Sequence, residues 1–442
     1  MCSVNDDGCS EAFEDLEKNE PLDVKCRKCQ IQNGNVVLRK KDVYCKDCFL
    51  TMVVHKFRAT LGKSKLVRQN ERVLICVSGS LCSVSLLHMV WSGLQQSTHK
   101  RLTFKPIVLH IDESVLFNYP EERYIGIKEV FDFYSLPYHI VPLSLALYSK
   151  NALEENNNLS EYDKKLKSLV NSIADLTLKQ DILVKLRKHA IMKLAADLNC
   201  TRVMTAENEH MLSIRLLSNV ALGRGSQIGL DIGLAVNDKK NNNTSIVILR
   251  PLRELSAKEI SYYVLFNTLQ DFVHFNFLTA TNEDESIQKT TEQFINNLQV
   301  EFPSTVSTIF RTGEKIVEKA LDNYTCSMCN GVMDVDMPSS SAIQATKYSK
   351  YVSQMGIRAV ELSFRDNLKV EQQVGNNCDE CNCANNREQC SKQELRDSMC
   401  YGCRNIIQNL DSMENLPQEI LEKCKENTNV KNMEEQIKDF IL

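Results

Sequence analysis

Arg72-Val73-Leu74-Ile75-Cys76-Val77-Ser78-Gly79-Ser80-Leu81-Cys82-Ser83 decides how the rest of the chain is read. Its first half is a short apolar run of mostly branched side chains, the composition of a strand buried on both faces. The run stops at a Ser-Gly step. From Ser83 to Leu94 the residues Val84, Leu87, Val90, Trp91 and Leu94 recur at helical spacing. Strand, tight loop, helix is how a doubly wound sheet opens, and small residues ahead of a helix N-terminus let backbone N–H groups face an anion. Ser78-Gly79-Ser80 alone is a weak signal, since any α/β protein needs a tight turn at that place.

Outward from this unit the alternation continues. Pro106–Asp112 and Tyr138–Pro142 read as strands around a helix at Glu121–Tyr134. The Asn/Glu-rich stretch 151–175 reads as a surface insertion with helical parts, followed by an amphipathic helix at Lys179–Leu198. Arg202–Thr205 is a fourth strand, and a helix from Asn208 to Leu222 stops at Gly223. Ile228, Leu230, Ile232 and Leu234 alternate, which predicts another strand. Asn237–Thr244 predicts a polar loop and Ile246–Leu249 a further strand. Ser256 with Glu259 predicts a capping box. The expected fold class is α/β, a doubly wound, mostly parallel sheet covered on both sides and flanked by cysteine-rich modules.

With 442 residues, 43% of them hydrophobic and 25% charged, the chain can bury a sizeable core and is expected to hold more than one folded unit. The net charge of -4 means that any nucleic-acid binding must come from local patches. Met1–Glu20 is an acidic lead without the pattern of a secretory signal or transit peptide, and no apolar stretch approaches the roughly 20 residues of a membrane helix. The expected location is cytosol or nucleus, where the 18 cysteines stand for metal or thiol chemistry and not for disulfides.

Cys26-x2-Cys29 and Cys45-x2-Cys48, 15 residues apart, form two knuckles whose thiolates can close one tetrahedral site. The expectation is structural zinc, with an iron–sulfur site as the alternative. Four thiolates leave no open coordination position for catalysis. Cys326-x2-Cys329 and Cys400-x2-Cys403 make a second set across a 70-residue insertion, a separation that costs little once metal holds both ends. Cys378, Cys381, Cys383 and Cys390 within it read as a biased loop in preference to a third site. The expected organisation is a lead at 1–20, a zinc module at 21–55, an α/β domain at 56–322, a second cysteine module at 323–410 and a helical tail at 411–442. Lys56–Arg72 reads as a basic connector, and its Lys63 and Lys65 are candidates for RNA phosphate, with a solvated face as the plain alternative.

Residues 78–83 resemble the PP-loop, the Ser-Gly-Gly-x-Asp-Ser signature of ATP pyrophosphatases. Ser78, Gly79 and Ser83 match, Ser80 replaces the second glycine, and Cys82 replaces the aspartate. Together with the first cysteine module, Leu61-Gly62-Lys63, Asn219–Gly225, Arg250–Glu254 and Cys400–Cys403, the chain is similar, over roughly residues 21–410, to the accessory branch of the family that 2-thiolates transfer RNA. The resemblance implies a cytoplasmic, non-catalytic subunit paired with a catalytic paralogue. That paralogue adenylates the wobble uridine of lysine, glutamate and glutamine tRNAs and takes sulfur from a thiocarboxylated ubiquitin-like carrier. It also marks Arg224 and Arg250, inside matching motifs, as candidates for gripping phosphate.

The chain's own departures favour the accessory role. The extra side chain of Ser80 and the missing carboxylate at Cys82 argue against ATP and magnesium on this chain. Active members carry Gly-His-Asn-x-Asp-Asp where this chain has Ala206–Met211, with only Asn208 matching. Cys82 is either a packed relic or a sulfur carrier, while Cys76 and the isolated Cys200 read as core and unpaired. His110 and Asp112 end a strand bordering the cleft, with Asp112 expected to cap a loop, and His210 is expected on a helix surface. The competing readings are an active ATP-dependent thiouridine synthase and a zinc-module interaction protein without an RNA role.

Overall fold

The structure is a computed structural model that describes residues 22–39, 41–64, 66–97, 101–117, 119, 121–148, 159–239, 245–274, 286–316, 325–331, 333, 392–410, 412–413 and 415–438. Met1–Val332 with Lys392–Leu442 form one compact unit; the other, Met333–Ser391, lies almost wholly outside the described residues, and so do Cys378, Cys381, Cys383 and Cys390.

In chain order the first unit opens with four short strands, β1 (Leu22–Lys25), β2 (Asn33–Gly34), β3 (Val36–Leu38) and β4 (Asp42–Tyr44), followed by helix α1 (Lys46–Ser64). The α/β part runs β5 (Arg72–Cys76), α2 (Leu81–Gln95), β6 (Lys105–Asp112), α3 (Glu121–Tyr134), β7 (Tyr138–Pro142), α4 (Leu159–Ser172), α5 (Leu176–Asp197), β8 (Arg202–Met204) and α6 (Glu209–Ala221). It continues with α7 (Ile228–Ile232), β9 (Ala235–Lys239), β10 (Ser245–Leu249) and α8 (Ala257–Phe266). The remaining helices are α9 (Ile287–Glu301), α10 (Thr305–Glu314), α11 (Lys392–Asp397), α12 (Tyr401–Gln408) and α13 (Gln418–Lys438).

Six strands form one sheet in the order β7-β6-β5-β8-β10-β9, parallel except for the β9 edge. The centre is β5, and its composition explains why. Successive side chains of a strand point to opposite faces. Val73 and Ile75 enter the core beneath α1, α2, α3 and α8, and Leu74 and Cys76 enter the core beneath α5, all of them buried. A strand with both faces covered needs an unbroken apolar run, which is what 72–77 supplies. The capping box expected at α8 is present, with Ser256 Oγ accepting from the Glu259 N–H and the Glu259 carboxylate accepting from the Ser256 N–H at 2.9 Å.

Four expectations are corrected. Ile228–Leu234 is not a strand: Ile228 and Ile232 lie on one face of α7 and pack with Leu212, Leu216 and Phe310. A spacing of four residues satisfies both a period of two and one helical turn, so alternation over so short a run could not separate them. The edge strand begins instead at Ala235 and runs through Lys239 into the stretch read as loop, pairing antiparallel with β10. Lys56–Arg72 is not a plain connector, because α1 continues to Ser64, carrying Phe57 and Thr60 inward. His210 is buried and hydrogen-bonded to Asn296 at 2.7 Å, so it is not a surface histidine.

Candidate functional site

The chain leaves β5 toward β6 and β7, then returns to β8 on the opposite side of β5. The crevice at the C-terminal ends of β5 and β8 is therefore the topological switch point, where open α/β sheets bind ligands. The Ser78–Ser83 loop sits there. Gly79 adopts φ +90°, a conformation open to glycine, and Ser80 is the N-cap of α2.

The loop's three hydroxyls and the Gly79 N–H are spent on one another. The Gly79 N–H donates to Ser83 Oγ at 3.1 Å, the Ser83 hydroxyl donates to the Ser80 carbonyl at 3.0 Å, and the Ser78 hydroxyl donates to Ser80 Oγ at 3.1 Å. Ser80, Cys82 and Ser83 are buried. From above, the His274 N–H donates to the Gly79 carbonyl at 2.8 Å, and the His274 ring lies where a Cβ on Gly126 would fall. A phosphate-cradling loop presents its N–H groups to the ligand. Here the Gly79 N–H is occupied internally and the Ser80 side chain fills the turn.

The segment after β8 closes the other wall. Asn208 caps α6, accepting from the Met211 N–H at 2.9 Å, and its Nδ2 donates to Cys82 Sγ at 3.5 Å. Cys82 is thus held inside the protein at the position where the PP-loop pattern has a carboxylate. Asn208→Ala removes a helix cap and is expected to cost about 1 kcal/mol of stability; an unchanged urea midpoint would contradict this packing.

Glu207, next to Asn208, is buried between Arg215 (2.6 Å) and Arg250 (2.9 Å) and accepts from Thr205 at 2.6 Å. Burial alone would raise its pKa, but the two guanidinium groups outweigh it and hold the carboxyl far below the usual range. Arg250 therefore faces inward, and so does Arg224. The Arg224 side chain is fully buried on the Asp181 carboxylate, with Nη2 also 3.8 Å from Cys403 Sγ. The phosphate-gripping expectation for Arg224 and Arg250 is corrected on this ground: both neutralise buried acids. Lys65 and the side chain of Lys63 lie outside the described residues.

Beside the loop, at the ends of β5 and β6, a cavity of about 250 Å³ is lined by Ser78, His110, Asp112, Tyr119 and Arg187 among others. Arg187 and Glu113 form a buried two-point ion pair on its wall. His110 donates from Nδ1 to the Val77 carbonyl at 2.8 Å, and burial pushes its pKa down, keeping it neutral. Asp112 caps its loop, accepting from the Ser114 N–H and hydroxyl, both at 2.9 Å.

Each four-cysteine set comes together in space: all four Sγ atoms lie within 4.8 Å of one another at Cys26, Cys29, Cys45 and Cys48, and again at Cys326, Cys329, Cys400 and Cys403. Zinc–sulfur bonds of about 2.3 Å in a tetrahedron place sulfurs about 3.8 Å apart. Cys29 and Cys45 are 3.8 Å apart, and Cys329 and Cys400 are 3.7 Å apart. The donor sets thus fit one tetrahedral ion each; a four-iron cluster spreads its thiolates over four metal atoms. Burial would raise Cys26, but backbone N–H groups at Cys29, Cys45 and Lys28 hold it down at about 6, while burial and the Cys45 thiol push Cys48 up to about 12. Thiols competing in this way for protons are those a dication replaces.

Sequence reading missed the Glu207 cluster, the Asp181–Arg224–Cys403 contact and His274 over the loop. These join residues far apart in the chain, and periodicity carries no sign of them.

A parallel sheet with a PP-loop-type turn at its switch point, flanked by four-cysteine sets, defines a PP-loop-type α/β chain. The fold is shared with the solved U34-tRNA thiolase NcsA from Methanococcus maripaludis with its [4Fe-4S] cluster, at TM-score 0.52 and 16% identity over 73% of this chain and 95% of that one. Cytoplasmic tRNA 2-thiolation protein 2 of Danio rerio is 30% identical over 100% of this chain and 99% of its own length, and protein 2-A of Xenopus laevis is 31% identical over the same shares. The family profile described as cytoplasmic tRNA 2-thiolation protein 2 matches residues 286–405. The chain belongs to the cytoplasmic tRNA 2-thiolation protein 2 family, whose name places its members in the cytoplasm. Among the described residues no helix is long and apolar enough to cross a membrane.

Proposed function

We propose that this chain is the accessory, non-catalytic subunit of a complex that 2-thiolates the wobble uridine of cytoplasmic lysine, glutamate and glutamine tRNAs. It pairs with a catalytic PP-loop paralogue that adenylates the uridine and accepts sulfur from a thiocarboxylated ubiquitin-like carrier. The observation that carries this reading is the altered loop: Gly79 N–H on Ser83 Oγ, Ser80 in the turn, and Cys82 buried against Asn208. No carboxylate stands at position 82 to help hold magnesium.

Both four-cysteine sets hold structural zinc in this reading, fixing the first strands to α1 and the C-terminal helices to α5 through Arg224. Lys63 and Lys65 are carried forward as RNA contacts. An active synthase is disfavoured by the same loop, and an interaction protein without an RNA role by the family. Deleting the chain from cells is expected to abolish wobble 2-thiouridine, measured by mass spectrometry of digested tRNA, and Cys82→Ala is expected to restore it in full. Persistence of the nucleoside after deletion would overturn the accessory role, and failure of Cys82→Ala to restore it would make the thiol a participant.

A further inference from the structure

An open groove whose lining carries a single sign of charge lies away from the switch point. It has a volume of about 850 Å³ and runs between α1 and the Leu102–Phe104 stretch that leads into β6. His55 and Arg58 come from α1, and Arg68 and Arg101 from the flanking segments; among the described residues no aspartate or glutamate lines it. His55, Arg68 and Arg101 are exposed. Arg58 Nη2 is shielded from water and has no hydrogen-bond partner. The floor is apolar, built from Val54, Leu61 and Leu102 packed on the main core. The rim is open at Gly62, where an added Cβ would meet nothing.

In a chain of net charge -4, three arginines lining one cleft with no acid among its described lining residues concentrate positive potential there. Arginines spaced along a cleft suit successive phosphates, and an apolar floor suits an unstacked base. The wall is also rigid: α1 begins at Lys46, directly after Cys45, and contains Cys48, so the first four-cysteine set anchors the helix that presents His55 and Arg58.

We infer that this groove is a binding site for the phosphate backbone of RNA, with Arg68 and Arg101 as the phosphate contacts. The inference rests on the tRNA-thiolation reading above and adds the surface that holds the substrate. It assigns the contact to a cleft built by α1 and the β6 approach, not to the Ser78–Ser83 loop.

The test measures binding of an unmodified tRNA transcript to the full-length chain across a salt series, for wild type, Arg68→Ala/Arg101→Ala and Arg68→Lys/Arg101→Lys. Both side chains are exposed, so neither pair threatens the fold, and thermal melts check this directly. The alanine pair is expected to weaken binding about tenfold and to lower the slope of log K against log salt by roughly two phosphate contacts, with the lysine pair restoring most of both. Unchanged affinity and slope in the alanine pair would overturn the groove assignment. So would displacement of a synthetic acidic peptide (residues 1–20) by the alanine substitutions with tRNA binding intact, which would make the cleft a protein-binding site. Either result leaves the thiouridine deletion test standing, so failure of the groove and failure of the accessory role are separable.

Discussion

Cys403→Ala is expected to remove one of two bound metal equivalents and to destabilise the chain by about 3–5 kcal/mol, lowering the melting temperature on the order of 5–10 °C. The size follows from what Cys403 touches. It is fully buried, it completes the second four-cysteine set, and its sulfur lies 3.8 Å from Arg224 Nη2. Arg224 is held protonated despite burial, chiefly by Asp181 and next by Cys403. Losing the ion strips α12 and the Cys326–Cys329 knuckle of their cross-link and removes one of the counter-charges around the guanidinium in a low-dielectric site. Metal content by inductively coupled plasma mass spectrometry checks the count. Two retained equivalents with an unchanged melt would contradict the single-ion reading of this set.

Glu207→Ala is expected to cost about 3–5 kcal/mol, because it leaves Arg215 and Arg250 without the buried carboxylate they share. The effect depends on pH in a defined direction. The folded carboxyl is held well below its unfolded value of about 4.3 by Arg215 and Arg250 against the opposing effect of burial. Its contribution is therefore fully present at neutral pH and is lost as pH falls below about 4.3 toward the folded value. The stability gap between wild type and Glu207→Gln should be constant from pH 6 to 8 and narrow in acid. A gap that widened in acid would place the charge elsewhere. Since Glu207 directly precedes Asn208, whose Nδ2 donates to Cys82, the same substitution also tests whether these ion pairs hold that wall of the crevice in place.

Much of the fold could be read directly. The run at 72–77 had to be a doubly covered strand, and the expected strand and helix at 138–142 and 121–134 coincide with β7 and α3. The cysteine spacings brought together both four-thiol sets, because two residues between cysteines is a local constraint. What could not be read was everything decided at long range. Arg224 and Arg250 sit in motifs that read like phosphate grips, yet each is aimed at an acid 43 residues away in sequence. Charge in a motif does not specify direction, and only the packed structure separates an arginine that faces solvent from one that neutralises the core. Likewise Ser80 and Cys82 showed that the loop had changed, but not that its hydroxyls and the Gly79 N–H had bonded to one another or that His274 lay over Gly79.

The most direct measurement is AMP formation from magnesium-ATP by the purified full-length chain, without any partner, in the presence of unmodified tRNA. With the Gly79 N–H committed to Ser83 and no carboxylate at position 82, neither ATP binding by calorimetry nor AMP above the protein-free rate is expected. Stoichiometric AMP that disappears with Ser83→Ala would show a working adenylation loop and contradict the accessory assignment.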